Sequence, residues 1–164
     1  LARSYDFETN FITLAAETNE SMPFYVRDMV IHEVAHMAKS VSNARILILG
    51  VAFKKDVDDI RHSPALRVIE LLLDDGVKNI VYNGPFVANV EVRGNKYSSL
   101  ELSDKEISEC DMVIITTDHT QYDIENIVKK APLVIDTRNA TKNIKDAALR
   151  EKIVLLGSGV KNTN

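Results

Sequence analysis

The sequence predicts an α/β fold in which a helical arm precedes a doubly wound parallel sheet. Short apolar runs recur along the chain and are bounded by turn residues, which is typical of strands buried on both faces of a sheet. Segments with helical periodicity separate these runs, and this alternation indicates parallel β–α units. Residues 1–43 are predominantly helical in pattern. We therefore predict two parts, an arm over residues 1–43 and an α/β domain over residues 44–164.

The arm is predicted to contain two helices with a break between them. The first covers residues 6–20, and the segment Asn-Glu-Ser-Met-Pro at residues 19–23 interrupts it, because proline removes a helical hydrogen bond. The second helix runs to about residue 40. An apolar stripe on this helix needs a covering surface, and we expect an upstream region or a second subunit, hence a homodimer formed through the arm. The stripe consists of Val26, Val30, Val34, Met37 and Val41.

The α/β domain opens with an apolar strand, a charged loop and a helix. Ser63 is a suitable N-cap with Pro64 at the first helical position, and Gly76 ends the helix. Residues 83–100 contain Gly-Pro and Gly-Asn pairs, which predict turns and short irregular strands. The predicted strands cover residues 45–50, 79–82, 112–116, 133–136 and 153–156, and the predicted helices cover 64–75, 103–109, 123–130 and 145–151.

Composition narrows the class of protein. The formal net charge of −4 argues against nucleic acid as a partner, since nucleic-acid binders usually carry a basic surplus. The single cysteine fits a reducing, cytoplasmic location. There is no signal peptide pattern, and no apolar run approaches the roughly 20 residues of a membrane span. The chain starts at Leu1 within helical sequence, so we interpret it as a fragment of a longer protein.

Polar residues follow the predicted strands, at the edge of the sheet where ligands of such folds bind. Lys54, Lys55 and Arg61 lie in the loop after the first strand, and Arg138 follows a later strand. These cations and the N-terminus of the following helix could bind a pyrophosphate. The alternative is that the loop cations pair with neighbouring aspartates on a solvated surface, and the pattern alone does not decide. His119 could touch a ligand at this edge or cap its own loop.

The pattern argues against a dinucleotide site in this segment. Gly50 stands alone, with Ala52 where the motif G-x-G-x-x-G requires its second glycine. Asn83 occupies the position of the acidic residue that would hold a ribose diol. The sheet is Rossmann-like, but a mononucleotide or a nucleotide sugar is a better ligand for it than NAD.

Two further motifs have competing interpretations. His32-Glu33-Val34-Ala35-His36 matches the zinc motif H-E-x-x-H on a helix, which raises a zinc peptidase as an alternative function. No third ligand follows it and both histidines lie opposite the apolar stripe, so a solvated helix face explains the motif more simply. Cys110 lies between Glu109 and Asp111, whose charges suppress the thiolate. We therefore predict no metal site and no nucleophile here.

Several segments, in order along the chain, resemble the UDP-glucose/GDP-mannose dehydrogenase family. The segment GVAFKKDVDDIRHSPAL at residues 50–66 resembles the signature that opens the family's C-terminal UDP-binding domain. The segments CDMVIITTDH at residues 110–119 and VIDTRN at residues 134–139 resemble later strands of that domain. Residues 19–23 resemble the helix that follows the catalytic cysteine loop, in the style of members that act on UDP-N-acetylmannosamine or UDP-N-acetylglucosamine.

The resemblance implies a cytoplasmic oxidoreductase of polysaccharide biosynthesis. Family enzymes oxidise the C6 alcohol of a UDP-hexose, here UDP-N-acetylmannosamine, to the uronate, using NAD and a cysteine thioester. The NAD domain and that cysteine would precede Leu1, so the resemblance implies that NAD binds outside this segment and that the segment alone is inactive. Residues 1–43 would end the central dimerisation region, and residues 44–164 would form the UDP-sugar-binding domain.

The resemblance also implies roles for individual residues. By similarity, Lys54, Arg61 and Arg138 would contact the UDP-sugar, with Lys55 and His119 as secondary candidates. No catalytic, cofactor-binding or metal-binding residue is expected within the segment. The alternative from a different class is a stand-alone nucleotide-binding regulatory module without a catalytic parent.

Overall fold

The computed structural model describes residues 6–157 of the chain; the outer limits predicted for the arm and the α/β domain lie outside these residues. A 31-residue helix is followed by alternating strands and helices, and a 3-10 turn at Val41–Asn43 connects them. The helices are α1 (Asp6–His36), α2 (Pro64–Asp74), α3 (Asp104–Ser108), α4 (Ile124–Lys130) and α5 (Ala147–Glu151). The strands are β1 (Arg45–Leu49), β2 (Asn79–Asn83), β3 (Asn89–Val92), β4 (Asn95–Ser98), β5 (Met112–Ile115), β6 (Val134–Asp136) and β7 (Ile153–Leu155).

The main sheet has five parallel strands in the order β2-β1-β5-β6-β7. From β1 the chain first adds β2 on one side and later adds β5 on the other, so the topological switch point lies between β1 and β5. At the carboxyl end of β1, Leu49 lies opposite both Asn83 of β2 and Ile115 of β5. The predicted doubly wound parallel sheet is confirmed, and its switch point is where such folds bind ligands.

The strands are continuously apolar because helices cover both faces of the sheet. Side chains alternate along β1, so that Ile46 and Ile48 join the core on the side of α1 and α2. Leu47 and Leu49 join the second core, on the side of α3 and α4. All four side chains are fully buried, and the sheet thus forms the rigid base on which the loops at its carboxyl edge are built.

The hairpin formed by β3 and β4 is more regular than the predicted turns and irregular strands. Its two strands pair antiparallel, with Val92 opposite Asn95. The connecting residues Arg93 and Gly94 both have positive φ, 55° and 76°. That conformation matches the right-handed twist of paired strands, so the Gly-Asn signal marks a tight hairpin turn.

The predicted break in the arm is wrong, since α1 continues through Pro23. Pro23 is buried and lies three residues before Val26, on the face of the helix that meets the rest of the protein. Packing of the ring on this face offsets the hydrogen bond that proline cannot donate. Contacts after Pro23 hold the helix against α2, including an ion pair of 3.0 Å between Arg27 and Asp75.

The apolar stripe of α1 is covered within the chain, which corrects the expectation that another region or subunit must cover it. Val26, Val30 and Val34 are buried in the core shared with α2, and Met37 and Val41 pack against the same core. The first half of α1 is different, because Phe11, Ile12 and Leu14 are each more than 60% exposed. Of the helices in residues 6–157, none is both long and apolar enough to cross a membrane.

Candidate functional site

The switch point is closed by a direct contact between the segments that follow β1 and β5. Gly50 has a φ of 82°, and a Cβ atom added there would lie 2.5 Å from Cβ and 2.6 Å from the carbonyl oxygen of Thr117. The Thr117 hydroxyl donates to the Ala52 carbonyl at 2.7 Å. The Thr116 hydroxyl donates to the carbonyl oxygens of Leu49 and Gly50. Only glycine permits this approach, which fixes the start of the loop after β1.

This closed crossing does not fit a dinucleotide. In a dinucleotide-binding turn, the second glycine lets the pyrophosphate approach the backbone. Here Val51 and Ala52 are buried at that place, and Thr117 fills the space beside Gly50. The loop after β1 therefore does not form a pyrophosphate turn of this kind in the part of the chain that the structure describes, residues 6–157.

Asn83, at the carboxyl end of β2, has a structural role. Its carbonyl oxygen accepts hydrogen bonds from the Gly50 amide and the Tyr122 hydroxyl, both at 2.9 Å. Its side-chain amide donates to the Leu100 carbonyl at 2.8 Å. Burial raises the pKa of Tyr122, so its hydroxyl keeps the proton that it donates here. These bonds tie the ends of β1 and β2 to the segment before α4.

The predicted cations of the loop after β1 have different environments. Arg61 forms two side-chain hydrogen bonds of 2.9 Å with Asp59, and its side chain is 82% exposed. These bonds lower the pKa of Asp59 to about 2. Lys55 lies 3.7 Å from Asp118. Lys54 lies over the ring of Phe53, and no carboxylate of residues 6–157 is within ion-pair distance of it.

Arg138 lines an open cleft of about 500 Å³ at the carboxyl ends of β5, β6 and β7. This volume lies within the range of about 300–1,000 Å³ that is usual for small-molecule sites. No ion pair of the Arg138 side chain is present within residues 6–157. The cleft is lined by Asp118, Asp136, Thr137, Arg138, Asn139, Leu155 and Leu156.

The two carboxylates of the cleft are already engaged, so they leave Arg138 available to an anion. Asp136 is fully buried and accepts from the amides of Arg138, Ala140 and Thr141 at 2.8–3.1 Å and from the Thr141 hydroxyl at 2.7 Å. It shapes the loop that carries Arg138. Asp118 pairs with Lys55. The structure thus places Lys55 beside the cleft that Arg138 lines, with Lys54 next to it in the chain.

Near the N-terminus of α2, the structure differs from the predicted cap. Ser63 is the N-cap residue, but its hydroxyl accepts no hydrogen bond from the first turn of the helix. The hydroxyl is buried and has no partner in residues 6–157. The Ser63 hydroxyl therefore does not cap the helix. Arg61 lies two residues before Ser63.

His119 lies inside the protein and not on the wall of the cleft. Its side chain is only 1% exposed, between the rings of Phe86 and Tyr122 at centroid distances of 5.1 and 5.6 Å. Its Nδ1 atom accepts the Asp56 amide at 2.9 Å. The Asp56 carboxylate in turn accepts from the amide and hydroxyl of Thr120. Sequence reasoning missed this connection, because no local pattern links residues 63 positions apart.

The two histidines of the H-E-x-x-H motif and Cys110 do not line the cleft that contains Arg138. His32 and His36 are on the exposed face of α1, and the Nδ1 atom of His36 is 2.9 Å from the His32 carbonyl oxygen. No group of three or more potential ligand side chains within residues 6–157 could hold a metal ion. Cys110 is buried, and burial, with smaller contributions from nearby carboxylates, raises its pKa to about 11. Its thiol donates to the Glu106 carbonyl at 3.1 Å.

Comparison with known proteins gives a consistent result. The sequence model of the UDP-glucose/GDP-mannose dehydrogenase family, UDP binding domain, matches residues 47–143. The UDP-N-acetyl-D-mannosamine dehydrogenase of Methanococcus vannielii is 31% identical over 157 residues, which cover 91% of this chain and 35% of that protein. The enzyme of the same name from Escherichia coli K12 is 28% identical over 123 residues, covering 73% of this chain and 29% of its own length.

Solved structures agree with the sequence relatives. The structure of UDP-D-ManNAc dehydrogenase from Pyrococcus horikoshii has a TM-score of 0.67 and 26% identity, and the match covers 87% of this chain and 32% of that chain. The chain therefore spans about a third of the length of the proteins that it matches. The match of the family model over residues 47–143, more than half of the chain, shows that this chain belongs to the UDP-glucose/GDP-mannose dehydrogenase family and contains its UDP-binding domain.

Proposed function

We propose that this chain is the UDP-sugar-binding portion of an NAD-dependent UDP-sugar 6-dehydrogenase. The parent enzyme would oxidise the C6 alcohol of a UDP-hexose to the uronate, and the names of the relatives indicate UDP-N-acetylmannosamine as that hexose. The observation that carries the proposal is the open cleft at the strand ends, where Arg138 has no ion-pair partner among residues 6–157 and the Lys54-Lys55 loop lies beside it.

In this proposal the cations bind the diphosphate. Arginine presents a planar fork that matches two phosphate oxygens, whereas lysine acts as a point charge. Arg138 and Lys54 have no carboxylate partner within residues 6–157, so neither has to give one up there to bind phosphate. Arg61 and Lys55 must exchange Asp59 and Asp118 for phosphate. Water screens exposed ion pairs, so they contribute little and this exchange costs little.

NAD would be bound by a part of the parent enzyme outside this segment, because Val51, Ala52 and Thr117 occupy the space that a dinucleotide turn needs. Bound there, NAD would supply the acceptor for hydride from C6. The residues described in this chain would only hold and orient the UDP moiety, and the segment alone would not turn over. A G-x-G-x-x-G motif in the same gene, ahead of Leu1, would separate this proposal from a stand-alone regulatory module.

Isothermal titration calorimetry of the chain tests the proposal. We expect weak but saturable binding of UDP and little binding of uridine, because the contacts are made to the diphosphate. The double variant Lys54→Ala/Arg138→Ala is expected to lose about 100-fold or more in affinity, as two charge-assisted contacts contribute about 1.5–3 kcal/mol each when desolvated.

The matched control is Lys78→Ala/Arg93→Ala, which removes the same charge from exposed positions away from the carboxyl edge of the main sheet. It should bind UDP as the unmodified chain does. Failure of the unmodified chain to bind UDP, tight binding of NAD, or oxidation of a UDP-sugar by this segment would contradict the proposal.

The second part of the proposal is a homodimer formed through the arm. Because the Val/Met stripe is covered within the chain, we place the dimer contact on the first half of α1. Phe11, Ile12 and Leu14 are exposed there, in a stretch of α1 over residues 10–20 that is exposed throughout, and exposed apolar patches mark contact surfaces. Light scattering should give the mass of a dimer, and Phe11→Glu/Leu14→Glu should give a monomer. A strictly monomeric unmodified chain would contradict this part.

A further inference from the structure

The tip of the loop after β1 is attached to the protein through one short segment. Residues 53–58 are all exposed. Within residues 6–157, the side-chain hydrogen bonds and ion pairs that tie residues 54–58 to other segments all come from residues 118–120. The position of the loop tip, and with it the position of Lys54 and Lys55, therefore depends on the segment after β5.

The central attachment is the hydrogen bond from the Asp56 amide to Nδ1 of His119. A backbone amide can only donate, so Nδ1 must be unprotonated and the neutral ring carries its proton on Nε2. Asp56 has a φ of 58°, in the left-handed region that aspartate adopts more readily than most residues other than glycine. The ring is enclosed by Phe86 and Tyr122, so it cannot follow the loop if the loop moves.

Building on the proposed function, we propose that His119 is a positioning residue for UDP binding. Its neutral ring accepts the Asp56 amide and thereby holds Lys54 and Lys55 where the diphosphate binds. A proton on Nδ1 would replace the acceptor with a donor facing the Asp56 amide, and the loop tip would lose this attachment. His119 thus supports the site without contacting the ligand.

The charged groups around the ring determine the direction of the pH effect. Asp56 lies 3.6 Å from Nδ1, and Asp118 and Lys55 are the other charged neighbours, while Phe86 and Tyr122 contribute aromatic rings. Burial lowers the pKa of His119 more than Asp56 and Asp118 raise it. The ring is therefore neutral at pH 7. The attachment is complete above the usual histidine pKa of about 6.5 and is lost as the pH falls through the lowered value.

The test compares the unmodified chain with His119→Asn and His119→Gln. The Asn oxygen can occupy the place of Nδ1 and accept the Asp56 amide, whereas the Gln amide reaches the place of Nε2 and leaves Asp56 without an acceptor. Neither side chain titrates. UDP affinity is measured by calorimetry from pH 5 to 8, and exchange of the Asp56 amide is followed by NMR without ligand. Far-UV circular dichroism verifies that each variant is folded.

His119→Gln should weaken UDP binding about fivefold at pH 7.5, equivalent to one hydrogen bond, and should speed exchange of the Asp56 amide. His119→Asn should restore both. Because a terminal phosphate itself titrates near pH 6, the decisive quantity is the loss of affinity between pH 7.5 and 5. We expect this loss to be about fivefold larger in the unmodified chain than in His119→Asn.

Equal pH profiles for the unmodified chain and His119→Asn would overturn the positioning role, as would unchanged UDP affinity in a folded His119→Gln variant. These outcomes would leave the proposed function intact. If the unmodified chain does not bind UDP, the proposed function and this role both fail.

Discussion

Gly50→Ala is expected to destabilise the fold by about 2–5 kcal/mol. Alanine at a φ of 82° costs about 1–2 kcal/mol, because its Cβ meets the following carbonyl group. Its Cβ would also lie 2.5 and 2.6 Å from Cβ and the carbonyl oxygen of Thr117, and overpacking of this kind costs about 1–3 kcal/mol. The clashing atoms belong to or adjoin backbone, so no side-chain rotation relieves them. Urea denaturation measures the change in the free energy of unfolding.

Gly76→Ala is the matched control for this variant. Gly76 has a similar φ of 91°, but an added Cβ would meet nothing within 4 Å. Gly76→Ala should therefore lower the free energy of unfolding only by the cost of alanine at a positive φ, about 1–2 kcal/mol. If the two substitutions lower the free energy of unfolding equally, Gly50 is not required for the close contact with Thr117 at the switch point.

Asp136→Ala is expected to cost about 4 kcal/mol. The fully buried carboxylate accepts four hydrogen bonds from the loop that carries Arg138. Its removal leaves two buried donors of Thr141 and two partly buried amides unpaired. Each buried unpaired donor costs about 1–3 kcal/mol, less whatever the loop recovers by rearranging. Thermal unfolding should show a fall of roughly 10 °C in the melting temperature.

Asp146→Ala is the control, because that exposed carboxylate accepts one hydrogen bond, from the Leu149 amide at the N-terminus of α5. Loss of such a cap costs about 1 kcal/mol. Asp136→Ala should also weaken UDP binding, since Arg138 loses its fixed position, whereas Asp146→Ala should not. An Asp136→Ala variant as stable as Asp146→Ala would contradict the role given to Asp136.

The strands could be predicted to within a residue or two because both faces of the sheet are buried. Burial on both faces requires uninterrupted apolar runs, as in β1, where Ile46 and Leu47 enter opposite cores. The path of α1 could not be predicted, since proline is normally a helix breaker. Pro23 is tolerated through packing against distant parts of the chain, and no local pattern reports such contacts.

The edge of the sheet that carries the site could also be predicted, because parallel strands end together there. The environment of each cation could not be predicted from the sequence. Arg61 and Asp59 lie in the same loop, and only the folded geometry shows that they bond to each other. The role of His119 depends on Asp56, which belongs to a different strand's loop.

The central claim is that UDP binds at the carboxyl edge of the sheet, between the loop after β1 and the cleft lined by Arg138. An NMR titration of the isotope-labelled chain with UDP tests it most directly. We predict that the largest amide shifts occur in residues 51–56, 118–120 and 137–139. Shifts centred on α1 or on the opposite edge of the sheet, or no shifts at saturating UDP, would contradict the account.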